Sequence, residues 1–250
     1  MVNVSIRTIQ QQNELSFKKG EVITTPLDPP VTGTIYGALL NYKGALEALG
    51  DAVHKAPYKG EPKAPVLYIK PANTVIGHRM AIPVPDDSAE LEMGAALGVV
   101  IGKTATHVKE VEALSYVSGY TIVNDVSVPH DSFFRPAIKQ KARDGFCPVG
   151  PWIMPKEAVE NSDSLQVKVF INGQLKQENN TQQLIRSVAR LIADVTDYMT
   201  LRAGDILLTG VPENAPLAKV GDVVRIEIDR IGVLENFLVH EKDWKWGGRA

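Results

Sequence analysis

Apolar residues along this chain fall mostly into short unbroken runs or every-second-residue patterns, the signatures of buried and half-buried strands. Val2, Val4 and Ile6 alternate weakly, Val22 and Ile23 follow, and Pro26, Pro29 and Pro30 then stiffen the chain. Residues 1–30 therefore read as a strand-bearing N-terminal arm and linker, and residues 31–250 as the main domain. Within it, residues 34–40, 66–69, 120–123, 206–209, 223–228 and 233–239 predict strands. The small, apolar stretch 90–101 predicts a central strand. Leu165, Val167, Val169 and Ile171 alternate into Asn172-Gly173, the pair that best signals a two-residue hairpin. Helical spacing shows in three places: 43–56, where Leu46, Leu49 and Val53 align; 108–117; and 182–199, with Thr181 as its N-cap. Pro57, Pro62 and Pro65 then make an exposed loop that could serve as a lid. Pro83-Val84-Pro85 is expected to be extended but outside a sheet interior. Strands outnumber helices and do not alternate with them, which predicts a β-rich α+β fold rather than a doubly wound one.

Composition changes this picture little. The 250 residues are 44% hydrophobic and 22% charged, with a formal net charge of −2. No global basic field invites nucleic acid. No apolar run approaches the roughly 20 residues of a membrane-spanning helix, and the first residues lack an apolar core followed by a cleavage site. Cys147 is the single cysteine, so no intramolecular disulfide can form. A cytoplasmic protein with neither nucleic-acid nor membrane partners is expected.

Candidate chemistry concentrates in residues 119–152. A strand there runs into Asn124-Asp125, and Arg135, Lys139, Lys141 and Arg143 place four cations within nine residues. Strand ends that open into charged, glycine-bearing loops favour small-ligand sites. Phosphate-binding glycine loops, zinc-protease motifs and nucleophile elbows are all absent. The five histidines, 54, 78, 107, 130 and 240, show no metal spacing and read as surface or satisfied side chains. Cys147, between a phenylalanine and a proline, reads as a buried inert thiol.

Six stretches carry a resemblance. They are Leu40-Asn41-Tyr42, residues 70–77 (KPANTVIG), 99–103 (VVIGK), 119–125 (GYTIVND), 141–146 (KARDGF) and 204–212 (GDILLTGVP). Taken in this order they resemble the fumarylacetoacetate hydrolase family. The resemblance implies a mixed β-roll with peripheral helices, found as a homo-oligomer or paired with a paralogous family domain. It also implies C–C hydrolysis, decarboxylation or tautomerisation of 2-oxo or enol acids.

Two departures shape the expectation. Metal-dependent members carry E-x-E before the V-I-G strand end. Gly94 and Ala96 occupy those positions here, leaving Asp125 as the only ligand position retained. Glu90 and Glu92 form an E-x-E four residues earlier, about 13 Å away along an unbroken strand. No metal cofactor is therefore expected, with magnesium or manganese as the alternative. Members that activate water carry N-Y-x-x-H-x-x-E, where this chain has Ala45 and Ala48. An isomerase branch of the family shares both losses and the segment F-x-R-P-A-I-K-x-K-x-R-D-G-F-C-P-x-G, matched by residues 133–150.

That branch implies ketonisation of 2-hydroxyhepta-2,4-diene-1,7-dioate, a small dicarboxylate, in 4-hydroxyphenylacetate breakdown. A metal-dependent decarboxylase or hydrolase, and a non-catalytic subunit beside a metal-bearing paralogue, are the alternatives. Ketonisation without a metal needs cations for the carboxylates and for the developing oxyanion. Lys70, Lys141 and Arg135 are the candidates, with Asp144 or Asp125 as proton carrier. Asn41, Tyr42 and Thr209 are the remaining candidates for substrate contact.

Overall fold

The computed structural model describes residues 23–130 and 137–245, together with the backbone of two antiparallel strands, Val2–Thr8 and Gln11–Phe17. The main sheet has seven strands, in the order Val66–Lys70, Ile35–Leu39, Ile206–Leu208, Ala95–Ile101, Val117–Asn124, Cys147–Pro155, Val75–Ile76. Only Pro71 and the short turn Ala72–Thr74 separate its two edge strands in sequence. The sheet must therefore curl round until its edges approach each other. The Ala95–Ile101 strand is buried at every position, which explains why its sequence is a continuous apolar run rather than an alternation.

A second sheet has the order Gln174–Asn180, Gln166–Ile171, Val223–Ile228, Gly232–His240, Ala81–Val84. Val167, Val169 and Ile171 point inward, and their neighbours are only partly covered. The first two strands meet through Asn172 and Gly173, at φ 51° and 77°. Both are left-handed, as the two-residue hairpin turn requires. Leu97, Val99, Ile122, Val169 and Ile226 belong to one core cluster that joins the two sheets.

The helical expectations are shortened. Residues 43–56 form Lys43–Glu47 and then a 3₁₀ turn, Gly50–His54. Gly50 adopts φ 49°, which an α-helix cannot continue through. Residues 108–117 give the 3₁₀ segment Glu110–Tyr116, with Val111 and Leu114 facing solvent. The third helix is only Val188–Thr196, capped by Ser187, whose Oγ accepts from the Arg190 amide at 3.1 Å. Leu184 leaves the predicted helix to bridge Tyr42, and Thr181 accepts from the Leu165 amide at 2.8 Å instead of capping that helix. The 90–101 strand breaks at Met93 and Gly94, so that Leu91–Glu92 pairs with Leu217–Ala218. Pro83 does lie in a sheet, on the edge strand Ala81–Val84, where its missing N–H interrupts no ladder. No described helix is long and apolar enough to cross a membrane.

Candidate active site

A cavity of about 250 Å³ opens where the Ile35–Leu39, Ile206–Leu208 and Val117–Asn124 strands end and the Ala95–Ile101 strand begins. Ala45, Ala48 and Leu49 from the Lys43–Glu47 region line it, with Val211, Pro212 and Glu213 from the turn after Leu208. The two alanines stand where a water-activating dyad would carry histidine and glutamate, so this wall offers only methyl groups. The volume lies just below the ~300–1,000 Å³ of drug-sized ligand pockets, a size suited to a small acid.

Asp125 anchors the charged end. Its Oδ2 accepts from Lys141 Nζ at 2.8 Å and from the Tyr68 hydroxyl at 2.5 Å. Lys70 Nζ lies 2.8 Å from Oδ1. Burial alone would raise the Asp125 carboxyl, but the Lys141 and Lys70 ammoniums outweigh it and hold it well below the usual carboxylate range. Burial, reinforced by the Asp125 charge, pushes the Tyr68 hydroxyl well above the ordinary tyrosine value. Sequence parity sets this up. Tyr68 and Lys70 are two residues apart on one strand and so share a face. Tyr68 pairs with Gly37 on the neighbouring strand, where a Cβ would fall 2.1 Å from the ring. The glycine lets the ring lie across the sheet toward Asp125.

The two lysines play different parts. Lys70 is fully buried, and its three ammonium protons go to the carbonyls of Val126, Lys141 and Phe146 at 2.9, 2.8 and 2.8 Å. Asp125 Oδ1 is thus a charge neighbour that receives no hydrogen bond, which reconciles the 2.8 Å approach with an oxygen otherwise unpartnered. Burial draws the Lys70 pKa down. Four acceptor oxygens within 2.9 Å of its nitrogen nonetheless favour the protonated side chain. It does not line the cavity, so its expected role in substrate contact gives way to one as a clamp across the sheet seam. Lys141 does line the cavity, with its ammonium 5.2 Å from the Tyr68 ring centre. One proton is spent on Asp125, which among the described residues leaves two N–H bonds for a ligand.

The other candidates scatter. Asp144 is exposed and accepts from Asn73 Nδ2 at 2.7 Å, away from the cavity lining, which removes it as proton carrier. Asn41 is a buried clamp: its Nδ2 donates to the Thr209 carbonyl at 2.8 Å and its Oδ1 accepts from the Arg186 amide at 3.0 Å. It therefore positions the cavity's rim without lining it. Tyr42 and Thr209 are fully buried with unpartnered hydroxyls, and neither lines the cavity. Cys147 is buried, which pushes its thiol up to about 12. Arg135 lies outside the described residues. Four further residues line the cavity: Tyr68 and Glu213, which sequence reasoning missed, Glu92, set aside on strand geometry, and His130, read as a surface or satisfied side chain. The strand break at Gly94 brings Glu92 to the same cavity as Asp125, against the offset expected of an unbroken strand. Its main chain pairs with Ser127, whose Oγ lies 3.3 Å from His130 Nδ1.

Residues 34–239 match the family described as fumarylacetoacetate (FAA) hydrolase C-terminal. The 4-hydroxyphenylacetate degradation bifunctional isomerase/decarboxylase of Escherichia coli is 42% identical over 84% of this chain and 48% of its own length. The chain thus spans about half the length of this curated relative. Among solved structures, the 2-hydroxyhepta-2,4-diene-1,7-dioate isomerase of Mycobacterium marinum superposes with a TM-score of 0.72 at 30% identity, covering 86% of this chain and 78% of its own. Maleylpyruvate hydrolase from Sphingobium sp. SYK-6, in complex with manganese(II) and pyruvate, gives 0.69 at 29% identity, covering 86% and 74%.

The residues described here do not fit such an ion. A hard divalent cation wants several free carboxylate or carbonyl oxygens. A Cβ at Gly94 would fall 2.6 Å from the Asp125 carbonyl and 3.0 Å from Val211, so no side chain fits at that ligand position. Both Asp125 oxygens already face Lys70, Lys141 or Tyr68. Among the described residues no three acidic, histidine or cysteine side chains gather as a ligand set.

Proposed function

Because the chain belongs to the fumarylacetoacetate hydrolase family, we propose that it ketonises a small dienol acid, 2-hydroxyhepta-2,4-diene-1,7-dioate, without a metal ion, in 4-hydroxyphenylacetate catabolism. The reaction breaks the O–H bond at carbon two and forms a C–H bond at carbon five. The double bonds shift between them, and the dienol becomes the 2-oxo-3-ene acid with no co-reactant. Negative charge develops on the oxygen at carbon two.

The observation that carries this reading is Lys141. Its ammonium is fixed by Asp125, backed by the Tyr68 ring and turned to the cavity with two free N–H bonds. A preorganised cation in a small, mostly apolar cavity stabilises such an oxyanion without reorganising at the moment of reaction. Lys141 and Lys70 together keep Asp125 ionised, and Asp125 holds Lys141 aimed. The methyl-lined wall at Ala45 and Ala48 favours isomerisation over attack by an activated water. The names of relatives at 42% and 30% identity both include isomerase chemistry.

Decay of the dienol's ultraviolet absorbance with the purified chain, in the presence and absence of EDTA, tests the proposal. Enzyme-dependent decay at equal rates in both conditions is expected. No decay in either condition overturns the isomerase reading, and decay abolished by EDTA and restored by manganese overturns the metal-free part. A second reading follows from coverage. Since the chain spans half of its curated relative, a paralogous family domain could complete it. Activity that appears only on adding such a domain would favour that reading.

A further inference from the structure

Protonation of carbon five needs a donor, and neither carboxyl foreseen for it can serve. Asp125 is locked between two ammoniums, and Asp144 is exposed outside the cavity. We infer that Glu213 delivers this proton, an inference that rests on the ketonisation reading above.

Glu213 lines the cavity from the turn that follows Leu208. Its carboxyl lies against the Lys43–Glu47 helix: a Cβ at Gly44 would meet Glu213 Cδ at 2.3 Å, so glycine there makes the space. Two neutral amides fix it from the Gln174–Asn180 strand. Gln177 Nε2 donates to its main-chain carbonyl at 2.6 Å, and Asn179 Nδ2 donates to Oε1 at 3.1 Å. Oε2 is sealed from solvent with no hydrogen-bond partner, and Glu213 forms no ion pair among the described residues. Asp125, facing the same cavity, is held by two lysines.

Among the described residues this carboxyl has no ammonium beside it, unlike Asp125, so in its protonated form it is the one left free to donate. The cavity that Glu213 lines also has Ala45, Ala48, Leu49 and Pro212 in its wall, which make part of it apolar. Two poles result: Lys141 receives the developing oxyanion, and Glu213 supplies the proton to carbon. In the step, the Glu213 O–H proton joins carbon five as the C4–C5 π pair forms the new bond. The C2–C3 pair moves to C3–C4, and the enol O–H pair becomes the carbonyl. The enol proton leaves to solvent, and once product has left the cavity a solvent proton admitted there restores Glu213.

The test is Glu213→Gln, which keeps the side chain's length and an oxygen for Asn179. In the dienol assay kcat should fall roughly 10²–10⁴-fold, the usual contribution of general acid catalysis, with KM changed less than about threefold. Glu213→Ala should be similarly slow but recover with added formate, which a purely structural role would not do. Turnover of Glu213→Gln at the wild-type rate overturns the inference while leaving ketonisation intact. So does loss of turnover in Glu92→Gln with Glu213→Gln unaffected, or a slow Glu213→Ala that formate does not rescue. An inactive wild-type chain instead overturns the ketonisation reading beneath it.

Discussion

Lys70 and Lys141 flank the same carboxylate from two different regions, a sealed seam and an open cavity wall. At the seam, an ammonium spends every proton on backbone carbonyls from three segments. At the wall, an ammonium spends one proton and keeps two. Net charge and residue type are identical, so the number of donors left over decides which lysine is free to contact a ligand. Breaking the seam should have the larger effect. Lys70→Met strands three carbonyls and leaves Asp125 with one cation, and removal of one partner from such a buried pair costs about 3–5 kcal/mol. Urea denaturation should show that loss; a change below about 1 kcal/mol would erase the distinction between the regions.

Lys141→Met sharpens the same contrast from the other side. Loss of a preorganised oxyanion donor lowers kcat by about 10²–10³-fold. The stability loss should be smaller than for Lys70→Met, because the Lys141 side chain is 12% exposed and Lys70 still faces Asp125. Paired denaturation and dienol assays on the two variants decide it. Equal stability losses, or an unchanged kcat in Lys141→Met, would break the comparison.

How much of this was legible in the sequence divides along similar lines. Many of the strands were, because alternation at 165–171 and the apolar run within 90–101 report burial directly; Cys147–Pro155 was not, since Pro148, Gly150 and Pro151 disguise it. The helices at 43–56 and 182–199 were overextended, because a left-handed Gly50 and the Tyr42–Leu184 bridge are tertiary facts. Asp125 and Lys141 stood out within family motifs. Lys70 stood out as a cation, but its partners are main-chain carbonyls, which no side-chain pattern reveals. Glu213 was hidden because its signal is an empty space at Gly44, 169 positions away in a residue that looked like ordinary helix. Glu92 was discounted on strand geometry that a break at Gly94 invalidates.

The Tyr68 ring that backs Lys141 depends on a missing side chain. Gly37→Ala would place a methyl 2.1 Å from that ring. Overpacking of this kind costs about 1–3 kcal/mol, and the ring must shift away from Asp125 and Lys141. A lower melting temperature together with a lower kcat is expected. A stable, fully active Gly37→Ala would show that the ring does not position Lys141.

The smallest expected effect lies outside the cavity lining, where His78 ties the linker to the second sheet. Its Nδ1 accepts from the Glu235 amide at 3.1 Å, so Nε2 carries the proton and donates to the Ile23 carbonyl at 3.0 Å. Burial lowers its pKa against the opposing pull of the Ile23 carbonyl and Glu235, with Arg79 adding to the lowering. The folded chain therefore keeps His78 neutral at a pH where the unfolded chain, titrating near ~6.5, already takes up a proton. Stability from this group is complete above about pH 6.5 and is lost as pH falls from there toward the folded value, by at most about 1.4 kcal/mol per pH unit. Protonation would also turn Nδ1 into a donor facing the Glu235 amide, which releases that contact. Urea midpoints measured across the mildly acidic range should fall for the wild type and fall less for His78→Gln, and parallel curves for the two would remove His78 as the cause.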